Sequence, residues 1–580
     1  MQMHRKVGAV LAGATLLFSA ACSQDLNVTN PNNPDVSRAL ASPSDVQNLA
    51  VSSVKSWYIG ATTVDPWVML NVTGDLMTMN YGNFGARFNN LQPRIPYDNT
   101  ASSGDAEVAA TPWKNQYATL GATDDVLQAI AAGVTLPGGT DKYATLAKFS
   151  QAGALMELAL VYDQAFPVDE TTAGTPVALA PYTAMATFAK AKIDALIAAS
   201  ASQSYSYDAK SEFPVSIQPE GTSYSVGTPT GAGFSSAVMN RLANTWGAQL
   251  LAYTPRNAAD AAKVNWAAVL AYTQKGIGHG GGSPIDFSVI GDYNNWWSDF
   301  VSYFDLPSWM MVDLKLIHQM APNVPDQYTG QPASPRSAYD AVWAPQAPMD
   351  ARLSVDTSDV NSYTAGVDDK TDFVYAAQVQ GSAARGIYMQ SPYYHVRYIN
   401  YSYQSNTAQI GPAPYVLAAE SDLLEAEALV RTGGDLSLAA QLVNYTRVGR
   451  GGLPPLTATS STATFLQAIT YELEVECVGT DGYGFFALRG MDQLQDGTLR
   501  HLPVPATELQ TDGLPVYTFG GVGKPNQNVA PMGGSAIPVS FDLKNYQSGP
   551  FKTLALPNGG TMQLAAPFVA HHTPIGFGKY

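Results

Sequence analysis

The stretch YVLAAESDLLEAEALVRTGGDLSLAAQLVNYTR, residues 415–447, has the pattern of two helices joined by a tight turn. Apolar residues recur at helical spacing on both sides of Gly433-Gly434, which predicts helices over 415–431 and 436–447. A glycine is well suited to end the first helix, and Asp435 stands where it would cap the second. Alanines in both segments would allow the two helices to approach each other closely. This stretch therefore predicts a packed helix pair.

Helical periodicity recurs along much of the chain. Further helices are predicted at 113–130, 143–162, 182–199, 235–253, 265–274 and 464–476. Repeated helix pairs with tight turns are typical of tetratricopeptide-like scaffolds. The predicted fold class is therefore mainly α, an α–α superhelix of helix pairs with long loop-rich insertions and few short strands. Spacing alone also fits a generic helical bundle.

Composition and charge exclude several classes of protein. The 580 residues include 31 Lys+Arg and 47 Asp+Glu, a formal net charge of −16. This acidic balance argues against nucleic-acid binding, which needs a surplus of cations to neutralise phosphates. A mean hydropathy of −0.06 argues against a protein with many membrane spans.

The N-terminus predicts export and a lipid anchor. A basic segment at 4–6 precedes an apolar stretch at 7–20 that is too short to span a bilayer, and small residues lead into Cys22. This arrangement resembles a bacterial lipoprotein signal peptide over 1–21 with lipidation at Cys22, followed by a polar tether over 22–40. Ordinary secretion stays open because Ser19 stands where such signals more often have Leu. With Cys22 lipidated, Cys477 has no disulfide partner and is expected in the core.

Two aromatic clusters in the loop-rich stretches are the candidate binding surfaces. One lies between Trp57 and Tyr97 and the other between Tyr293 and Trp309. Sugar rings can lie on indole or phenol faces while amides and Arg bind their hydroxyls, but about half of these rings are expected to be core. Adjacent tryptophans cannot both face inward on a regular element. The candidate ligand contacts are Trp67, Tyr81, Arg87, Asn90, Tyr293, Asn295, Trp296, Trp297 and Trp309.

Other motifs predict no cofactor, metal or catalytic centre. The Gly-x-Gly-x-x-Gly pattern at 276–281 follows a helix, whereas a dinucleotide-binding loop follows a strand, so a helix stop and loop are predicted. The seven His residues do not fall at metal-ligand spacing, and no Gly-x-Ser-x-Gly nucleophile motif occurs.

Several motifs resemble those of the SusD/RagB family of outer-membrane nutrient-binding lipoproteins. The strongest block is at the C-terminal side of the scaffold, where ESDLLEAEA (420–428), NYTRVGRGGLP (444–454), ELEVE (472–476), FFALR (485–489) and Pro503 to Glu508 follow the family pattern. Weaker matches occur at 26–31, 113–125, 152–167 and 349–353. The resemblance covers most of 22–510.

The resemblance implies a fold, a function and a partner. It implies a SusD-like helical scaffold over 41–510, with ligand-binding insertions at about 55–112 and 276–412, and an irregular extension over 511–580 packed on the body. The implied protein is noncatalytic, anchored by lipid at the bacterial outer membrane and exposed at the surface. It would capture an oligosaccharide, or a peptide, and pass it to a SusC-like TonB-dependent transporter.

Carboxylates and arginines in the C-terminal block have two interpretations. Glutamates at 420–427 and 472–476 lie on predicted helices near Arg431, Arg447, Arg450 and Arg489, and Arg–carboxylate pairs between packed helices would be structural. The rival hypothesis is a secreted lipoprotein glycoside hydrolase or other hydrolase, with acids such as Asp292 or Asp299 among the tryptophans. A third hypothesis is a purely structural envelope protein with neither ligand nor transporter. Acid–base chemistry would need a cleft and separated pKa values.

Overall fold

The computed structural model describes residues 40–62, 64–79, 93–172, 175–220, 233–291, 296, 304–305, 309–326, 346, 349–354, 371–375, 390–398, 411–480, 482–526, 551–555 and 561–565. Regular structure in these ranges is mostly helical, and the strands are two to seven residues long. The predicted mainly α class with few short strands is confirmed.

The described residues form fourteen α-helices and eleven strands. The α-helices are α1 (Pro43–Thr62), α2 (Met69–Thr73), α3 (Glu107–Ala131), α4 (Thr140–Val161), α5 (Tyr182–Ala201), α6 (Ser236–Tyr253), α7 (Ala258–Ala261), α8 (Trp266–Thr273), α9 (Leu314–Met320), α10 (Ala418–Thr432), α11 (Leu436–Arg447), α12 (Thr462–Val475), α13 (Tyr483–Gly490) and α14 (Ala506–Thr511). The strands are β1 (Met77–Met79), β2 (Gln164–Ala165), β3 (Ala180–Pro181), β4 (Val215–Pro219), β5 (Ile285–Gly291), β6 (Met310–Val312), β7 (Phe373–Tyr375), β8 (Tyr393–His395), β9 (Gly411–Val416), β10 (Phe551–Ala555) and β11 (Thr561–Ala565).

The predicted helices are confirmed, with shifts at their ends. The turn between α10 and α11 forms as predicted: Gly433 has the left-handed conformation, and the Asp435 side chain accepts hydrogen bonds from two backbone N–H groups of α11. Tyr415 belongs to β9 and not to α10. The sequence predicts a loop-rich insertion from about residue 55, and for residues 55–62 this prediction is wrong. These residues complete α1, whose buried face includes Val54 and Trp57.

Neighbouring helices pack in pairs. Contacts join α1 to α3, α3 to α4, α4 to α5, α5 to α6, and α10 to both α11 and α12. The largest core lies among α1, α3, α4, α5 and α6, where the indoles of Trp57, Trp113 and Trp246 are almost completely buried. Gly153 of α4 lies directly against the Trp57 ring, where even a methyl group would collide. The helix-pair scaffold of the sequence prediction is therefore present.

Short strands connect distant parts of the chain. Antiparallel pairing of β1 with β6 brings residues 77–79 onto 310–312, and β4, β5 and β9 form a three-stranded antiparallel sheet. These pairings anchor the two stretches that contain the aromatic clusters to the same helical body.

A buried charge network stabilises the C-terminal block. Arg352 is completely buried and lies 2.7 Å from Asp350 and 2.9 Å from both Glu472 and Glu476. Glu476 also pairs with Arg450 at 2.8 Å. Three guanidinium groups surround Glu476, and although burial alone raises a carboxyl pKa, they lower the pKa of Glu476 to about 2. These carboxylates are bound by arginines and serve a structural role.

Two of the arginines expected in such pairs have other partners, so that part of the prediction is wrong. Arg447 donates to the carbonyl oxygen of Pro454. Arg489 is completely buried and bonds to four backbone carbonyls, those of Leu160, Tyr253, Pro255 and Arg500. A guanidinium can join several chain segments through carbonyl oxygens as well as through carboxylates.

The C-terminal extension begins on the body of the protein. Tyr517 and Phe519 lie in the largest core, and the Tyr517 hydroxyl donates to the carboxylate of Asp163. The extension is not irregular throughout, because β10 and β11 pair with each other. Cys477 is buried, as predicted. Within the described ranges, no helix combines the length and apolarity that crossing a membrane requires.

Candidate functional site

Trp296 lines a cleft of about 230 Å³ beside α1. Its indole stacks on Phe213, with ring centroids 5.6 Å apart and an angle of 27° between the planes. Tyr58 lies 5.9 Å away in a tilted arrangement. Trp296 is therefore held by two aromatic side chains while part of it stays accessible. Of the predicted site residues that the structure describes, it is the one that borders this cleft.

Most of the other residues that line the cleft have polar side chains. α1 contributes one wall, and the turn before β4 contributes the other. The lining residues are Asn48, Val51, Ser52, Lys55, Lys210, Ser211, Glu212, Pro214 and Trp296. Ammonium, hydroxyl, amide and carboxylate groups thus surround one indole, which is the mixture that a polyol or sugar ring requires. The volume is below the roughly 300–1,000 Å³ of common small-molecule pockets, so the cleft fits a small group such as one sugar unit.

The turn that carries one wall is fixed by hydrogen bonds. The carboxylate of Asp208 accepts from the backbone N–H groups of Lys210 and Ser211. Glu212 accepts from the ammonium of Lys142 at 2.7 Å and from the hydroxyl of Tyr143. Burial raises the pKa of Glu212, but these two hydrogen bonds outweigh it and the pKa lies below its usual value. Glu212 is therefore an ionised acceptor at neutral pH.

Most described rings of the early aromatic cluster are core residues. Trp57, Tyr58 and Tyr97 are at most 3% exposed. Trp67 is 2% exposed and packs against Phe304, with ring centroids 5.3 Å apart. The indole of Trp67 therefore does not present an open face to a ligand in this structure, because it fills a second core beneath β1 and β6.

The structure does bring the early and middle aromatic stretches together. Tyr58 contacts Trp296, and Trp67 contacts Phe304. Trp309 is partly buried and packs against the second core. The remaining predicted contacts, Tyr81, Arg87, Asn90, Tyr293, Asn295 and Trp297, lie outside the described residues, as do Cys22 and the acids Asp292 and Asp299 of the hydrolase hypothesis.

Sequence reasoning missed the polar walls of the cleft. Lys55 lies on α1, in the part that the sequence predicts to be a loop-rich insertion, and Lys210 and Glu212 lie in a turn with no distinguishing motif. The glycine pattern at 276–281 follows α8 and forms a loop with a 3₁₀ turn, which agrees with the predicted helix stop and loop. Possible metal ligands within the described residues are Glu220, His279 and Asp422, none of which lines the cleft.

Comparison with known proteins identifies the fold. No family model and no curated relative matches the chain. A SusD superfamily protein from Bacteroides vulgatus superposes with a TM-score of 0.50 and 12% identity, covering 81% of this chain and 97% of that one. Another from Bacteroides thetaiotaomicron gives a TM-score of 0.48 and 11% identity, covering 81% and 98%. Surface glycan-binding protein A from Bacteroides uniformis gives a TM-score of 0.46 and 13% identity, covering 81% of this chain and 98% of that one.

The match to the Bacteroides vulgatus structure extends over nearly all of that protein. The chain therefore has a SusD-like fold, and the resemblance noted in its sequence motifs is confirmed at the level of the fold. At this low identity the comparison shows the architecture of the scaffold alone, and the function has to be argued from the site.

Proposed function

We propose that this protein is a noncatalytic lipoprotein of the bacterial outer membrane that captures a glycan at the cell surface. The observation that carries the proposal is the cleft at Trp296, where a supported indole faces polar side chains from α1 and from the turn before β4. The SusD-like fold agrees with this proposal.

The cleft suits a sugar for physical reasons. The C–H face of a pyranose can lie on the indole, while Asn48, Ser52 and Lys55 offer hydrogen-bonding groups to its hydroxyls. One stacked sugar gains roughly 1–2 kcal/mol at about 25 cal/mol per Å² of apolar surface removed from water. Such a site gives weak binding per sugar, which suits capture followed by release.

The proposed partner is a SusC-like TonB-dependent transporter, to which the captured glycan is passed. This part of the proposal follows the family resemblance of the sequence motifs, as do the lipid at Cys22 and the surface location. The transporter would accept the ligand without any bond being broken, so no catalytic residue is proposed.

Glycan binding is tested with purified protein and a panel of soluble polysaccharides. Affinity electrophoresis and isothermal titration calorimetry should find at least one glycan that binds, and the same mixtures should yield no new reducing ends. New reducing ends would support the hydrolase hypothesis. Binding of peptides in the absence of any glycan binding would change the proposed ligand class.

The partnership is tested by a native pull-down of the tagged protein from detergent-solubilised outer membranes, with mass spectrometry of the bound proteins. Recovery of a large TonB-dependent barrel is expected. A protein that fractionates as soluble and recovers no barrel would contradict the transporter partnership and leave the glycan proposal to be judged by the binding panel.

A further inference from the structure

Three potential metal ligands from distant parts of the chain meet on the side of the scaffold formed by α10. Glu220 follows β4, His279 lies in the glycine-rich loop after α8, and Asp422 lies in the first turns of α10. One ligand atom from each side chain lies within 4.8 Å of the others. His279 Nδ1 is 2.6 Å from Asp422 Oδ2 and 3.8 Å from Glu220 Oε2.

The loop holds His279 rigidly against α10. The backbone N–H of His279 donates to Asp422 Oδ1 at 2.8 Å, so Asp422 binds both the backbone and the imidazole of the same residue. Arg241 of α6 donates to the carbonyl oxygens of Gly276, Ile277, Gly278 and Ser283 in the same loop. The Tyr445 ring stacks on the imidazole, with centroids 4.1 Å apart and nearly parallel planes.

The glycines of this loop allow the carboxylates to approach. A Cβ atom at Gly278 would lie 2.3 Å from Asp422 Oδ1, and one at Gly280 would lie 2.1 Å from Glu425 Oε2. The glycines of this pattern, which resembles a nucleotide-binding motif, are therefore explained by packing and not by the approach of a phosphate. It lets two carboxylates of α10 pack directly against the backbone on either side of His279.

Glu425 adds an uncompensated carboxylate next to the group. It lies one helical turn after Asp422, which places both side chains on the same face of α10. It is 3% exposed, and its buried Oε2 has no hydrogen-bond partner within the described part of the chain. A buried carboxylate oxygen without a partner is costly, and a nearby cation would remove that cost.

We propose that Glu220, His279 and Asp422 bind a single divalent transition-metal cation of the Zn²⁺ type, with Glu425 contributing negative charge beside it. A nitrogen ligand among oxygen ligands favours Zn²⁺ over Ca²⁺ or Mg²⁺, which prefer oxygen alone. Ligand atoms about 2.0–2.1 Å from a tetrahedral metal lie about 3.3 Å apart. The observed separations of 2.6 and 3.8 Å fall on either side of that value, and Glu220 is partly exposed and free to adjust.

The electrostatics of the group agree with this geometry. Three carboxyl groups, those of Glu220, Asp422 and Glu425, lie around a single imidazole, so the imidazole alone would not balance their negative charge. A metal bound at His279 Nδ1 would replace the direct contact of this nitrogen with Asp422 Oδ2, since the metal takes the lone pair of the unprotonated nitrogen.

The test is a Zn²⁺ titration of the full-length mature protein, prepared without a polyhistidine tag and stripped with a chelator. Calorimetry should give one Zn²⁺ per chain, and the thermal unfolding midpoint should rise with added Zn²⁺. His279→Ala and Glu220→Gln should each weaken binding by about tenfold or more. Both residues are partly exposed, so these variants should fold.

Two control variants separate this site from other histidines. His318→Ala removes a histidine of α9, and a double change of His571 and His572 to Ala removes the adjacent pair at the C-terminus. Both should bind Zn²⁺ like the parent. The proposal is overturned if no Zn²⁺ binds or if Ca²⁺ binds in its place. It is also overturned if Zn²⁺ binding persists in His279→Ala and Glu220→Gln and disappears in one of the control variants.

Discussion

Arg352 Nη1 lies 2.9 Å from Glu472 Oε2, 120 residues later in the chain, and neither side chain reaches solvent. The same guanidinium binds Asp350 and Glu476. Removing the guanidinium would leave three buried carboxylates without their common partner. A buried charge that loses its partner is far more costly than a surface ion pair that is broken.

Arg352→Met should therefore lower the free energy of unfolding by about 3–5 kcal/mol. The measurement is urea denaturation followed by circular dichroism. Lys190→Met is the matched control, because it breaks an ion pair with Asp194 whose side chains are both more than a third exposed. That variant should lose less than about 1 kcal/mol. Similar losses in the two variants would mean that the buried network is not a major source of stability.

The sequence predicted the helices well because their signals are local. Residues 436–447 form a helix with the predicted ends, since the Asp435 cap and the apolar spacing both lie within one turn of the boundary. The buried charge network could be predicted only in part. Glu476 and Arg450 stand close to each other in a recognisable block, but Arg352 comes from a separate segment and no spacing connects it to Glu472.

Glu474→Gln should change how stability depends on pH. Burial raises the pKa of Glu474 to about 7, more than Gln319 and Lys315 lower it. Between about pH 4.5 and pH 7 the unfolded chain loses this proton while the folded chain keeps it, so the parent loses stability as pH rises. The variant lacks this loss and should gain stability relative to the parent by on the order of 1–3 kcal/mol between pH 5 and pH 8.

Thermal and urea unfolding at both pH values measure this difference. Glu107→Gln, at an exposed position of α3, is the control and should follow the parent at both pH values. An unchanged difference between parent and Glu474→Gln from pH 5 to pH 8 would show that Glu474 is not protonated in the folded state.

Gly153→Ala should destabilise the protein although Ala is the better helix former by about 1 kcal/mol. The added Cβ would lie 2.3 Å from Trp57 Nε1, and this indole is completely buried and unable to move aside. Overpacking costs typically about 1–3 kcal/mol, which exceeds the gain in helix propensity. Gly490→Ala in α13 is the control, because nothing lies within 4 Å of its added Cβ. A stable Gly153→Ala variant would imply that α1 and α4 can separate.

The aromatic residues show why a binding site is harder to predict than a helix. Trp67 and Trp296 both lie in stretches that the sequence predicts to be ligand-binding insertions, but the first is a core ring and the second borders a cleft. Their exposure depends on which partner ring covers them, Phe304 in one case and Phe213 in the other. That choice is made by tertiary packing and leaves no local pattern. The proposed metal ligands likewise leave no spacing signal, because Glu220, His279 and Asp422 are neighbours in space but distant in sequence.

Trp296→Ala should weaken binding to any glycan that the protein recognises, because it removes the flat apolar face of the cleft. A loss of roughly 1–2 kcal/mol corresponds to about a 5- to 30-fold weaker affinity. Trp296→Phe keeps a ring on Phe213 and should lose less. Calorimetry with the best glycan measures the affinities, and near-ultraviolet circular dichroism checks that both variants keep their packing. If all three proteins bind equally while Trp309→Ala does not bind, the glycan site lies beside the second core, and the cleft at Trp296 is not where the ligand is held.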